Sequence, residues 1–367
     1  MRYVFCIVIS IVICLSNCNG DTSDSTAKSC GTAIGNPINP MPFSFVSDVF
    51  YKKKDAVVRI IGIRISNNET SSAKSETKDD KQPDSTKSPA GKNPELSNKI
   101  LFGSGFFIDD MARVVTSAII VDDATNIWVE FNGLSYAAEL VGSDRITNIA
   151  IVRLLKKPDH FDIIDITDGK PKGNVCCGEF LVSVECKLGL DPSPNFGIIV
   201  GENSSYGSTS FPVKLTRTNL PIDGGETGSP VFSIDGTLAG IMIASLPDMR
   251  SSFLMPAWTL DRVCSDIIKT GGVTHCTAGF FVHQQYTQEN GVQILVSRIQ
   301  QDSPAEKAGI LIDDVISAIN GNKIVNIGDI ANSLFLLRPG DIVNIDIIRK
   351  GNMLQLPVKL DDQSHFN

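Results

Sequence analysis

The chain has no cluster of lysine and arginine, no Cys-x-x-Cys pair and only four histidines, and each scarcity removes a class of function. Lysine and arginine total 33 against 41 aspartates and glutamates, a net charge of −8. A field of that sign repels phosphate backbones, so no nucleic-acid partner is expected. Without paired cysteines or a His/Cys cluster at ligand spacing, no metal is expected, and no cofactor either. Past residue 15 no apolar run is long enough to cross a membrane as a helix. What is present is ordinary for globular protein: 42% hydrophobic and 20% charged residues over 367 positions. That is enough for two domains and extra segments.

The chain opens with Arg2, an apolar run from Tyr3 to Leu15, and Ser16-Asn17-Cys18-Asn19-Gly20. This reads as a signal peptide over 1–20 and places the protein on a secretory route: secreted, an endomembrane lumen or a periplasm. A retained anchor and a lipobox ending at Cys18 are the alternatives. Removal of the leader would leave Cys30, Cys176, Cys177, Cys186, Cys264 and Cys276. In an oxidising compartment an even count is compatible with one or two disulfides of unreadable connectivity. Asn68-Glu69-Thr70 and Asn203-Ser204-Ser205 are glycosylation sequons, relevant only on a eukaryotic route.

From Phe43 the pattern becomes structural. Ser47 to Phe50 predicts a short helix and Ala56 to Ile60 a strand. Residues 66–98 are almost wholly Ser, Lys, Asp, Thr and Pro, which predicts a disordered insertion between two strands. Short β-rich runs then alternate with turns: Gly105–Ile108, Arg113–Ser117, Ile127–Phe131, Ser135–Val141, Asn148–Leu154, Glu179–Glu185, Phe196–Val200 and Pro212–Thr216. That spacing predicts an all-β pair of barrels. A helix over Pro256–Thr270 closes the unit before Gly271-Gly272.

One loop organises the rest: Gly224-Gly225-Glu226-Thr227-Gly228-Ser229-Pro230, followed by a strand and the Asp235-Gly236 turn. Glycines around a small hydroxyl residue let the backbone turn sharply and aim N–H groups into one space, as a nucleophile loop with an oxyanion hole requires. Taken alone, the stretch also fits a plain β-turn and hairpin. The run resembles the nucleophile loop of the HtrA (Do-like) family of trypsin-like serine proteases, with Thr227 where that family has serine. Four further segments follow in family order. Gly103-Ser104-Gly105-Phe106-Phe107-Ile108 resembles the strand before the catalytic histidine. Val115-Thr116-Ser117-Ala118-Ile119-Ile120-Val121 puts Ile119 at the histidine position. Asp144-Arg145-Ile146-Thr147-Asn148-Ile149-Ala150-Ile151 puts Asn148 at the aspartate position. Gly178 to Val182 resembles the family's Gly-Asp-x-Val strand.

All three triad positions therefore differ. A hydroxyl is a weak nucleophile until a base takes its proton, and isoleucine has no lone pair to offer. Of the histidines, His160 reads as a loop residue, while His275, His283 and His365 fall in or beside the C-terminal module. Ser229 stands two residues past the elbow, which points to a packing or hydrogen-bonding role. Glu226 brings a charge beside the oxyanion positions, Gly225 and Thr227.

Residues 277–360 resemble a PDZ domain of the HtrA type. Gly291–Val296 predicts a strand, Asp302–Ile310 a capped short helix, and Asp313-Asp314-Val315-Ile316 matches the family's Gly-Asp-x-Ile with Asp313 in place of glycine. A helix is predicted over Ile327–Leu337. PDZ domains add an extended peptide as a strand and catch its terminal carboxylate with backbone N–H groups. The resemblance assigns that loop to Ala278, Gly279, Phe280 and Phe281, beside a helix carrying Ile330 and Leu334; these apolar residues fit a core role equally.

The reading is a trypsin-like, chymotrypsin-fold double β-barrel over 43–270 followed by an α+β PDZ domain over 275–361. By resemblance it is an oligomer, a trimer in the family, that binds peptides or unfolded proteins without intact catalytic machinery. An active endopeptidase with a rearranged site and a passive secreted scaffold are the alternatives.

Overall fold

The computed structural model describes residues 44–67, 96–169, 175–187, 190–206, 209–221, 224–246, 249–288 and 291–366. The leader, the sequon at Asn68 and most of the insertion expected over 66–98 lie outside them. The edges of that insertion, 66–67 and 96–98, are instead the ends of two paired strands.

The chain starts with α1 (Ser44–Lys53), then β1 (Val57–Asn67), β2 (Leu96–Phe107), β3 (Arg113–Ser117), the one-turn α2 (Ala118–Val121), β4 (Asn126–Phe131), β5 (Leu134–Asp144) and β6 (Ile149–Leu154). These six strands close into a barrel in the order β1-β2-β3-β6-β5-β4. Alternation along β1 explains the closure. Val58 and Ile60 point inward at 0% exposure, against Phe107, Val129 and Val152. Burying each such side chain stabilises by about 1.5–3 kcal/mol.

A second closed barrel, β10-β11-β12-β9-β8-β7, is built from β7 (Phe180–Glu185), β8 (Ser193–Tyr206), β9 (Thr209–Thr218), β10 (Pro230–Ser233), β11 (Leu238–Leu246) and β12 (Ser251–Pro256). Its core joins the inter-barrel seam, where Phe106, Ile149 and Ile151 meet Val182, Phe232 and Ile241. The helix expected from Pro256 begins as a 3-10 turn, and α3 (Leu260–Thr270) follows it. Gly271, at φ 80°, stops α3 in the left-handed conformation that favours glycine.

The remaining chain forms β13 (Cys276–Thr277), β14 (Phe280–Thr287), β15 (Gly291–Ile299), α4 (Pro304–Lys307), β16 (Val315–Ile319), β17 (Asn322–Lys323), α5 (Ile327–Leu334), β18 (Ile342–Arg349), β19 (Asn352–Lys359) and β20 (Asp361–Asp362). The sheet runs β14-β15-β16-β18-β19, with β14 at its edge. Ser303 caps α4 by accepting from Glu306 N, and Asn326 with Asp329 forms a full capping box on α5. The helix predicted to Leu337 ends at Leu334, and the chain leaves it through a tighter turn in which Leu337 N donates to Leu334 O. Asp314 is buried and held by a two-oxygen contact from Arg349 at 2.7 Å.

This module is bolted to the barrels. Arg262 of α3 donates to the carbonyls of Phe335 and Thr274. Lys214 of β9 meets Asp329 at 2.6 Å, and its N–H donates to Asn332 Oδ1 at 2.8 Å. His275 Nε2 lies 2.9 Å from Asp144 Oδ2. The five cysteines among the described residues are all free thiols, so the expected disulfide does not form among them.

Candidate functional site

The 224–230 loop is clamped onto the first barrel. Ser104 N donates to Thr227 O at 2.9 Å, and Ser104 Oγ donates to Gly225 O at 2.7 Å while accepting from Cys186 N. Gly228 N donates to Met242 O, and Ser229 N to Glu226 O. Gly228 has φ 92°, and a Cβ there would lie 2.1 Å from Ser104 O. Only glycine permits both that conformation and that approach.

Among the described residues, neither Gly225 N nor Thr227 N donates a hydrogen bond. Two N–H groups on one tight turn can donate to a carbonyl or carboxylate oxygen of a ligand. Glu226 is buried at 2% exposure, so its side chain is taken into the protein rather than out into the cleft. Among the described residues the buried hydroxyls of Ser117 and Ser229 have no hydrogen-bond partner, so of the packing or hydrogen-bonding role expected of Ser229 the structure shows packing, at 0% exposure.

Ile119 lies in α2 and Asn148 in the turn between β5 and β6. Asn148 has φ 58°, a conformation asparagine tolerates better than most residues. Its Oδ1 accepts from Ile119 N at 3.0 Å, its backbone oxygen accepts from Ala118 N, and its Nδ2 donates to Ile243 O at 2.8 Å. Both ends of the amide are spent on backbone, joining α2 to β11. Ile119 is 58% exposed, and its carbonyl accepts from Arg64. These residues line an open cavity of about 380 Å³, with Asp122, Asp123 and Arg145 paired at its rim.

Among the described residues, no histidine hydrogen-bonds to Thr227. His275 is engaged with Asp144, and His365 lies 3.1 Å from Asp361. His160 lies in the loop after β6 and His283 on the exposed edge strand β14. The nearest thiol along the clamp is Cys186, which burial pushes up to about 12, out of the nucleophilic range. Asp144 is held below its ordinary value: burial opposes ionisation, and the hydrogen bond and electrostatic attraction of His275 together with the hydrogen bonds from Thr147 and Ile146 outweigh it. The same carboxylate accepts from Ile146 N and Thr147 N, so it shapes the turn that presents Asn148.

In the C-terminal module, Ala278 and Ile330 are buried in the core, at 3% and 7% exposure. Phe280 and Leu334 are half-buried against the same core. Gly279 has φ 76°, and its carbonyl accepts from Gln300 N. Phe281 pairs with Arg298 across β14 and β15, with the guanidinium 3.9 Å from its ring centroid.

Sequence reasoning singled out Ile119, Asn148 and Thr227 but missed the roles of Ser104 and Arg64 and the His275–Asp144 contact. Each of these acts on a residue tens of positions away, and no local pattern carries such a partner.

Residues 103–241 match the family model of a trypsin-like peptidase domain, and residues 279–360 that of a PDZ domain. The probable periplasmic serine endoprotease DegP-like of Chlamydia muridarum is 26% identical over 268 residues, which is 70% of this chain and 53% of the relative. The DegP-like relative of Rhizobium meliloti is 30% identical over 264 residues, 68% of this chain and 51% of its own length. The chain thus spans about half the length of these curated relatives. Among solved structures, the HtrA-type protease AlgW with tripeptide aligns with a TM-score of 0.65 at 20% identity, covering 87% of this chain and 97% of that one. The serine endoprotease from Yersinia pestis aligns at 0.56 and 20% identity, covering 88% and 99%. Those structural likenesses show the fold.

Proposed function

As a member of the HtrA/DegP-type family, a trypsin-like peptidase domain followed by a PDZ domain, the chain inherits a peptide-handling scaffold, and we propose that it binds peptides or unfolded polypeptide without cleaving them. One observation carries this reading. The family's histidine position is Ile119, and no other histidine hydrogen-bonds to Thr227. Without a base the threonine hydroxyl keeps its proton, and Asn148 is already committed to Ile119 N and Ile243 O. Triad members act as a unit, so loss of the base alone removes most of the covalent route.

What is left is a binding surface. The N–H groups of Gly225 and Thr227 can hold a peptide oxygen in the cleft. The edge strand β14, beside α5, supplies the second site, where a peptide can be added as a further strand. The proposal includes a leader over 1–20, a location on a secretory route, domains over 43–270 and 275–361, and assembly as a homo- or hetero-oligomer. Such a protein would serve protein quality control or regulate an active relative.

The test is casein cleavage by the purified protein beside Thr227→Ala and the triple variant Ile119→His, Asn148→Asp, Thr227→Ser. The expected result is no cleavage by the parent or Thr227→Ala, and gain of activity in the triple variant. Cleavage by the parent that Thr227→Ala abolishes would sink the proposal and establish an active endopeptidase.

A further inference from the structure

The outer face of the first barrel carries an apolar strip that begins where the nucleophile loop is clamped. Paired residues on antiparallel strands share a face, and so do alternate residues along each strand. Arg59 of β1 pairs with Ser104 of β2 and Glu130 of β4, which fixes the outward face. In this row Ser104 holds the 225–227 loop, and Arg59 binds Glu130 and the carbonyls of Lys187 and Leu190. The next outward row is Trp128, Ile61 and Phe102, and the one after it is the uncharged Asn126 with Ile63 and Ile100, with Ile65 beyond. The registers of β1 with β2 and β4 are unbroken there, so no bulge turns any of these side chains inward. Trp128 is 39% exposed, Ile100 49% and Ile65 40%. Barrel closure does not require this: the inward set, Val58, Ile60 and Val129, is already complete at 0%.

We propose that this strip is a docking surface for an extended apolar segment of a non-native polypeptide, continuing the binding site at the 224–230 loop. The proposal deepens the peptide-binding function argued above and rests on it. Size selects the occupant. From Ile61 to Ile65 the strip runs about 13 Å at 3.3 Å per residue, and three strands span roughly 10–15 Å across. That is on the order of 200 Å², well short of the ~800 Å² per partner that a stable subunit interface buries. It matches about four residues of extended chain. No charged side chain stands in the Trp128, Ile61 and Phe102 row or the Ile63 and Ile100 row, so neutral apolar segments are favoured over charged ones. Continuity with the loop supplies direction: a peptide oxygen held at Gly225 and Thr227 N–H leaves the neighbouring residues to run over Phe102 and Ile61.

Trp128 is its own reporter, since the chain has only two tryptophans. The second, Trp258, is half-buried and packs edge-on against Phe335. In the full chain carrying Trp258→Phe, the probe is a C-terminally amidated twelve-residue peptide of alternating valine and serine, with no carboxylate for the PDZ loop. Binding is followed by Trp128 emission and, independently, by anisotropy of a dye on the peptide. The expected result is saturable binding with a blue shift at Trp128, weakened about tenfold or more by Ile63→Ser with Ile100→Ser. If the peptide binds by anisotropy while Trp128 stays silent and the serine pair has no effect, the strip proposal is overturned and the peptide-binding function stands. If neither this peptide nor an unfolded protein binds by anisotropy, both fall. The emission readout uses the intact strip, so the proposal stays testable even where the serine pair fails to fold.

Discussion

Ile119 N donates to Asn148 Oδ1 across 3.0 Å, so the two residues are joined through a backbone N–H and a side-chain amide rather than through a proton-transfer pair. The amide is the right group for that role. It accepts from Ile119 and donates to Ile243 O at once, which a carboxylate cannot do.

Asn148→Asp should therefore destabilise the protein by about 1–3 kcal/mol, because it sets a carboxylate oxygen against the Ile243 carbonyl and leaves that acceptor unpaired. Ile119→His should lie within about 0.5 kcal/mol of the parent, because the side chain is mostly in solvent. Urea midpoints of the two single variants test both statements. Equal midpoints would show that the Asn148 bridge contributes nothing.

The Asp144–His275 contact makes part of the stability acid-labile. Asp144 lies below its ordinary 3.8 in the fold, so the unfolded chain takes up its proton first as pH falls. Its contribution is complete above that ordinary value and disappears as pH drops through the folded one. Between about pH 5 and about pH 3, the parent should lose more stability than Asp144→Asn does. Parallel slopes of unfolding free energy against pH would contradict this.

Gly328 of α5 lies against β8 and β9 so closely that a Cβ would stand 2.7 Å from Lys214 Cγ and 2.8 Å from Ser204 Cβ. Lys214 can move only by giving up its contact with Asp329. Gly328→Ala should cost about 1–3 kcal/mol and loosen the C-terminal module. Faster trypsin cleavage near Lys269, at the end of α3, with the sheet core of the PDZ module intact, is the expected pattern.

Thiol labelling should divide the cysteines by burial. Cys176 and Cys177 are exposed in a turn, whereas Cys186 and Cys264 are buried with their thiols pushed up. Cys176→Ser with Cys177→Ser should remove two fast-reacting thiols from the native protein. Cys186 and Cys264 should react only on unfolding.

Much of the fold was legible because its signals are local. The β-branched run in Ala56–Ile60, the Asp235-Gly236 turn, and Ser303 three residues before Glu306 each specify an element without reference to the rest of the chain. The site was legible only in part. Ile119, Asn148 and Thr227 could be named because each lies inside a short run with a family pattern. Which of the two roles, packing or hydrogen bonding, Ser229 takes was not legible, because whether a hydroxyl finds a partner depends on which atoms the fold brings beside it. The edges of the insertion were misread for a related reason: Ser66, Asn67, Ser97 and Asn98 are poor strand formers alone, and the register of β1 on β2 carries them along.

Residue chemistry alone determined that position 119 cannot act as a base, since an isoleucine side chain cannot accept a proton in any fold. The same local reasoning sufficed for two β-rich units and a following α+β module, because strand and helix periodicities are written within a few residues. Folding decided what the vacated positions do instead. Asn148 became a bridge, Ser104 a clamp across the barrels, His275 a partner for Asp144, and Trp128 part of an exposed strip. Those roles depend on distances between residues far apart in the chain, and only strand register and barrel closure set such distances.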